Sequence, residues 1–149
     1  MNNKFLQAVI GGIIGTIVMT ILMMLSAEMG MPKMNPPKML ATSMGTSIIV
    51  GWVFHFMIGI IFALIYAYII INLLVKISST LLKGVVFGII AFIIAQIGMQ
   101  LMGAMFPNMP KPEGNMIMLA IGSLIGHIIF GIVVAYFVKP ISLNTHNHD

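Results

Sequence analysis

The sequence predicts an all-α membrane protein, a bundle of four transmembrane helices made of two tandem helical hairpins. Hydrophobic residues make up 60% of the 149 residues and charged residues only 7%, whereas a soluble globular domain has about 25% charged residues. Four apolar runs are each long enough to cross the hydrocarbon core as a helix. The second half of the chain also repeats a spacing of glycine, histidine and alanine from the first half.

The four apolar runs predict four helices in chain order. Inside lipid every backbone N–H and C=O needs a partner, which a helix supplies within itself, and these runs do not alternate as barrel strands do. The breaks collect turn residues: three prolines in 31–37, a lysine and three polar residues in 76–80, and three prolines in 107–114. The predicted spans are residues 5–27, 47–75, 82–106 and 116–138.

A repeat appears when the second half is aligned on the first. A shift of 73 residues matches glycines of the first and third spans, and a shift of 72 matches a small-xxx-His-xxx-Gly-xxx-Ala series of the second and fourth. The matched pairs are Gly11 with Gly84, Gly15 with Gly88, Gly51 with Ser123, His55 with His127, Gly59 with Gly131 and Ala63 with Ala135. We interpret residues 1–149 as one membrane domain, with repeats at about 5–75 and 82–138 and a polar tail at 139–149. Two spans per repeat give parallel repeats with both histidines at one depth.

The repeated series forms a stripe of small residues on the second span and another on the fourth, because residues four apart share one helix face. Small residues let a neighbouring helix approach closely. We therefore predict helix packing at all the matched glycines, at both alanines and at Ser123. An ionisable side chain on such a face turns toward the bundle, because exposure to hydrocarbon is costly. A compact bundle with both histidines inside it is expected.

Two interpretations of His55 and His127 remain open. In one, the imidazoles are a symmetric ligand pair for a haem iron or for a copper or zinc ion. In the other, each imidazole bonds to a backbone carbonyl, to the other imidazole or to a polar side chain, and so fixes the bundle. The candidate polar partners are Thr16, Thr20, Gln96 and Gln100. Close packing along the stripes favours the second interpretation, because it leaves no gap for a porphyrin.

Methionines collect at one end of the predicted bundle, where ten of the 16 lie in or beside the two proline-rich loops. Thioether sulfur is a soft ligand suited to Cu(I). Met29, Met31, Met34, Met105 and Met109 are therefore candidate copper ligands. The simpler interpretation is that methionine fills irregular space beside these loops. We expect no resident cofactor, with haem b or copper as the alternative.

The residue patterns indicate no enzyme. The sequence has no Gly-x-Ser-x-Gly, no His-Glu-x-x-His and no phosphate-binding glycine loop. Its seven basic residues are spread over loops and ends, so they form no patch for nucleic acid. The expected partners are the lipid bilayer and either a second copy of the chain or a larger membrane complex. Lysines number four against three on the two sides, which predicts the cytoplasmic (inner) membrane with both termini in the cytoplasm.

Three segments carry a resemblance to a known family. They are Met29-Gly-Met-Pro-Lys33, the stretch from Gly51 to Ala67 around His55, and Leu124-Ile-Gly-His127-Ile-Ile-Phe-Gly131. Together they resemble an uncharacterised family of short bacterial membrane proteins with four helices. The resemblance covers nearly the whole chain and implies a bacterial membrane location and the four-span layout, but no activity. The expected role is an interaction or accessory protein, or a small subunit of a membrane assembly; the alternative is a haem or copper binder.

Overall fold

The structure, a computed structural model, describes residues 3–106, 109–110 and 114–138. Two of the lysines used for orientation, Lys111 and Lys139, and the predicted polar tail at 139–149 lie outside the described residues. The helical elements in chain order are α1 (Lys4–Glu28), α2 (Pro36–Ser43), α3 (Ile48–Ile65), a π-helical segment (Tyr66–Ile70), α4 (Ile71–Leu73), α5 (Thr80–Met105) and α6 (Met116–Phe137).

Four of these helical stretches are long and apolar enough to cross a membrane, and we call them the first to fourth spans. They are Lys4–Glu28, Ile48–Leu73, Thr80–Met105 and Met116–Phe137. The second span joins α3, the π-helical segment and α4 without a break. Every span begins and ends within two residues of its predicted bounds. The prediction of an all-α membrane protein with four transmembrane helices is confirmed, while the tandem duplication stays a prediction.

Polar caps set where three of the spans begin. The Asn3 side chain accepts hydrogen bonds from the first turn of α1, at 2.9 Å from the nitrogen of Phe5. Ser79 does the same for α5, at 3.3 Å from the nitrogen of Leu82, and Asn115 caps α6. Since the first N–H groups of a helix have no partner within the helix, such caps fix its start. They lie where the sequence changes from turn residues to an apolar run.

A short helix, α2, lies in the first proline-rich loop, where the sequence predicted only a break. Asn35 caps it by accepting a hydrogen bond from the nitrogen of Lys38 at 3.0 Å, and prolines occupy its first two positions. Proline is tolerated there because its missing N–H would have had no partner in the first turn. The helix packs against the start of α3, where the carbonyl of Pro37 lies directly over Gly51. Gly51 therefore contacts a loop helix and not another span.

The four spans pack unevenly against one another. The first span packs against both the second and the fourth, and the third packs along the fourth. The second and third spans meet through Tyr66 and Phe87, whose ring centroids are 4.7 Å apart, and the ring of Phe130 lies tilted beside Phe87 at 6.1 Å. This aromatic cluster closes one half of the bundle. Toward the other half, which we call the methionine-rich end after Met31, Met34 and Met109, both of these spans contribute to the wall of a cavity.

Candidate ligand-binding cavity

The cavity has a volume of about 420 Å³ and is lined by residues of all four spans, of α2 and of the loops at the methionine-rich end. Phe62 and Phe130 line it near the aromatic cluster, and Lys33 and Met109 line it from the loops. Sites for small molecules typically have volumes of about 300–1,000 Å³. The space is therefore large enough for an organic ligand and far larger than a single ion.

Both histidines predicted as a pair lie in the wall of this cavity. His55 is buried on the second span, and His127 is half-buried on the fourth. The structure thus brings together the two residues that the sequence matched.

His55 bonds to a hydroxyl group of the first span. Its Nε2 lies 3.2 Å from Thr20 Oγ1, and that hydroxyl donates its hydrogen to the carbonyl of Thr16 at 2.7 Å. A threonine hydroxyl has one hydrogen, so toward His55 the oxygen acts as an acceptor. The proton of neutral His55 is therefore assigned to Nε2, which leaves an unprotonated Nδ1.

His127 bonds to the backbone of its own helix. Its Nδ1 donates to the carbonyl oxygen of Ser123 at 2.7 Å, while the Ser123 hydroxyl is more distant, at 3.5 Å. A carbonyl oxygen only accepts hydrogen bonds, so the ring proton is on Nδ1 and Nε2 is unprotonated. Phe92 of the third span packs edge-on against the ring, with centroids 5.9 Å apart. The two histidines consequently present different nitrogens.

The two unprotonated nitrogens lack a protein partner among the described residues. Within the same residues, every fully buried side-chain nitrogen or oxygen has a partner. His55 Nδ1 and His127 Nε2 are therefore not sealed inside packed protein. We assign both to the surface of the cavity that their residues line.

The rest of the cavity wall is mainly apolar and rich in thioethers. Apart from the histidines, its polar side chains are Thr16, Lys33, Gln96 and Ser123. In the described part of the chain no aspartate or glutamate lines it, and no three His, Cys, Asp or Glu residues are grouped as for a metal ion. Seven methionines line the cavity: Met19, Met34, Met39, Met99, Met102, Met109 and Met116.

The five methionines predicted as copper ligands do not share one place. Met34 and Met109 line the cavity, and the methyl group of Met31 lies over Gly122 on the fourth span. Met29 and Met105 are 85% and 71% exposed, so they face away from the protein. Sequence reasoning missed the other cavity methionines on the spans and on α2. For two of these methionines, Met99 and Met102, the sequence did contain a signal, because they lie three residues apart and so share one helix face.

The residues predicted for helix packing lie in close contacts, but glycines matched by the 73-residue shift do not have matching partners. Gly59 approaches Thr16 of the first span, whereas Gly131 approaches Gly84 and Gly88 of the third. Gly11 and Gly15, matched in the sequence to Gly84 and Gly88, pack instead on Phe137 and Phe130 of the fourth span. Ala63 and Ala135 are buried in the core, and Ser123 is buried beside His127.

Comparison with known proteins gives a family and no further relative. No curated protein and no solved structure matches the chain. A family model of unknown function matches residues 2–148, which is nearly the whole sequence. The chain therefore belongs to the family of unknown function DUF6789.

Proposed function

We propose that this chain is a non-enzymatic membrane protein that holds a small, largely apolar ligand in the cavity, with His55 and His127 as its polar contacts. The observation that carries the proposal is the meeting of both imidazoles at one cavity, each with an unpaired nitrogen. Ligand sites in proteins are typically concave and apolar, with a few polar groups that orient the ligand. This cavity has each of those properties.

The two histidines do not form a symmetric pair, so the symmetry argument made for haem b or copper from the sequence is not supported. One imidazole presents Nδ1 and the other Nε2, so the two rings approach a ligand by different edges. A haem iron held between both rings would take one axial bond from an Nδ1 and the other from an Nε2. The apolar volume and the unequal rings favour an organic molecule over an iron porphyrin.

An accessory role in a larger membrane assembly, or in a homo-oligomer, is the second candidate function. Its support is the unequal burial of the spans. In the most apolar part of the third span only 17% of residues are buried, against 33% for the first span. Of the four spans, the third has the smallest buried share in this measure, which leaves it available to lipid or to another membrane helix.

For the location we propose the cytoplasmic membrane, with both termini in the cytoplasm. With four spans in the described part of the chain, we place the two chain ends on one side. Among the described lysines, Lys4, Lys76 and Lys83 lie toward that side and Lys33 and Lys38 toward the other, which follows the excess of positive charge on the cytoplasmic side. The methionine-rich end of the cavity would then face outward.

A matched pair of glycine variants on α5 tests the proposed function. Gly98 lines the cavity, Gly103 does not, and neither has an atom within 4 Å of where a Cβ would be placed. Gly98→Leu fills the cavity, whereas Gly103→Leu adds the same side chain outside it. Each protein is purified in detergent, extracted with organic solvent for mass spectrometry, analysed for Fe, Cu and Zn, and examined in the visible range with and without dithionite.

We expect a molecule that co-purifies with the wild-type protein and with Gly103→Leu and is lost from Gly98→Leu. Identical contents in all three proteins would contradict a ligand in the cavity. A Soret band lost in Gly98→Leu would identify haem as the ligand. Other membrane proteins that co-purify in a fixed ratio with both variants would instead support the accessory role.

A further inference from the structure

We infer that the cavity takes an apolar molecule that carries hydroxyl groups, and that His55 Nδ1 and His127 Nε2 accept hydrogen bonds from those hydroxyls. This inference rests on the proposed function and names its ligand class. It follows from the hydrogen-bond roles left at the two rings, from the chemistry of the wall and from the volume of the space.

Both unpaired nitrogens are hydrogen-bond acceptors. A carbonyl oxygen accepts from His127 Nδ1, and a hydroxyl oxygen whose hydrogen is already donated accepts from His55 Nε2. In the described residues no carboxylate lines the cavity to balance an imidazolium. Since a charge in an apolar space without a partner is costly, both rings are neutral and each keeps one lone pair.

The protein fixes which nitrogen of each histidine carries the proton. If the proton of His127 moved to Nε2, Nδ1 and the Ser123 carbonyl would be two acceptors 2.7 Å apart. If the proton of His55 moved to Nδ1, the Thr20 hydroxyl would have to give up its bond to the Thr16 carbonyl. Each change loses a hydrogen bond in a poorly solvated place. A ligand with only carbonyl groups would therefore leave both nitrogens unpaired.

Apart from the two histidines, the wall of the cavity suits an organic molecule better than a metal ion. The soft alternative is Cu(I), which takes imidazole nitrogen and thioether sulfur. One ion would leave most of the 420 Å³ empty. Lys33 also adds a positive charge to the lining at the loop end of the cavity. Methionine side chains, by contrast, adapt their shape to irregular apolar ligands.

The test uses two probes that share a scaffold and differ in their hydroxyl donors, a decyl-substituted benzohydroquinone and the matching benzoquinone. The purified full-length protein is placed in lipid nanodiscs, and binding is measured by titration calorimetry without oxygen. We expect the hydroquinone to bind about tenfold more tightly or better, which corresponds to the gain of one to two hydrogen bonds. Gly98→Leu should bind neither probe, and Gly103→Leu should bind both as the wild type does.

His127→Phe isolates the role of the acceptor, because phenylalanine keeps an aromatic ring and lacks the nitrogens. We expect it to lower hydroquinone affinity about tenfold and benzoquinone affinity less, so that the preference for the hydroquinone is reduced. The proton positions are read independently by ¹⁵N NMR of the histidine-labelled wild-type protein. The expected spectrum contains one intramembrane ring protonated at Nε2 and the other at Nδ1, and two rings of the same type would overturn the inference.

The remaining outcomes separate the ligand class from the proposed function. Equal affinity for both probes, lost in Gly98→Leu, would overturn the hydroxyl inference and leave the cavity as a binding site. Failure of the wild-type protein to bind either probe would overturn the hydroxyl inference. The proposed function would then depend on whether a molecule co-purifies with the wild type and is lost from Gly98→Leu. Cu(I) binding that is lost in His127→Phe, without hydroquinone binding, would replace the organic ligand by a metal ion.

Discussion

The two hairpins each place a histidine at the same cavity, but they hold it by different means. In the first hairpin His55 bonds to the Thr20 hydroxyl of the neighbouring span. In the second, His127 bonds to its own helix and contacts Phe92 of the neighbouring span. Thr20 and Phe92 are 72 residues apart, as are the two histidines. This shared offset supports the predicted repeat, and it shows how two matched residues acquire different free nitrogens.

The helix contacts of the two hairpins follow the same offset and differ in closeness. Gly59 meets the side chain of Thr16, and Gly131 meets the backbone of Gly84 and Gly88. Thr16 and Gly88 are 72 residues apart. A glycine in place of the threonine lets the second pair of backbones approach more closely than the first. We therefore regard the second hairpin as the rigid part of the protein and the first as the adaptable part.

The largest expected effect comes from adding one methyl group to each of these contacts. In Gly131→Ala the new Cβ would lie 2.6 Å from the Gly88 nitrogen and 2.8 Å from its Cα, and backbone atoms cannot move aside. We expect a loss in the free energy of unfolding of about 3 kcal/mol, at the upper end of overpacking costs. Gly59→Ala, which meets a side-chain oxygen, should lose about 1 kcal/mol. Reversible unfolding in mixed detergent and SDS measures both.

A rescue variant is the control for this difference. Thr16→Ala removes the oxygen that the new methyl group of Gly59→Ala would meet, so the double variant should recover stability relative to Gly59→Ala. No side-chain deletion can relieve Gly131→Ala, because its three nearest contacts are backbone atoms of glycines. Equal losses in the two single variants would break the distinction between a rigid and an adaptable hairpin.

The sequence predicts the spans well and the cavity poorly, for physical reasons. Run length and turn residues set the ends of the spans, because lipid tolerates neither charges nor unpaired backbone groups. The glycine stripes correctly signalled close approach, yet they did not specify the neighbour. Gly51 faces α2, and Gly11 faces the fourth span instead of the second. A gap between the second and third spans depends on which helices pair, and local spacing carries no information about that choice.

A smaller effect is expected from the side-chain partner of His55. Thr20→Val keeps the shape of the side chain and removes the acceptor of the Nε2 hydrogen bond. We expect a loss of about 1 kcal/mol in the free energy of unfolding, typical of one hydrogen bond. In the ¹⁵N spectrum the His55 signals should change and the His127 signals should not, since the latter ring bonds to a backbone carbonyl. A change at both rings would show that the two sites are coupled.

The smallest effects are expected at the exposed methionines of the two loops. Met29 follows the first span and Met105 ends the third, and both side chains face away from the protein. Met29→Leu and Met105→Leu should each change the free energy of unfolding by less than about 0.5 kcal/mol, as surface substitutions usually do. Hydroquinone affinity should also stay unchanged, because neither residue lines the cavity.

The same two variants test the copper interpretation, since leucine keeps the approximate volume of methionine and lacks its sulfur. If these sulfurs were copper ligands, Cu(I) binding measured by competition with a chromogenic chelator would weaken in both variants. Met34→Leu and Met109→Leu are the matched comparison, because these two residues do line the cavity. Weaker Cu(I) binding only in the second pair would assign any copper site to the cavity, whose wall also contains His55 and His127.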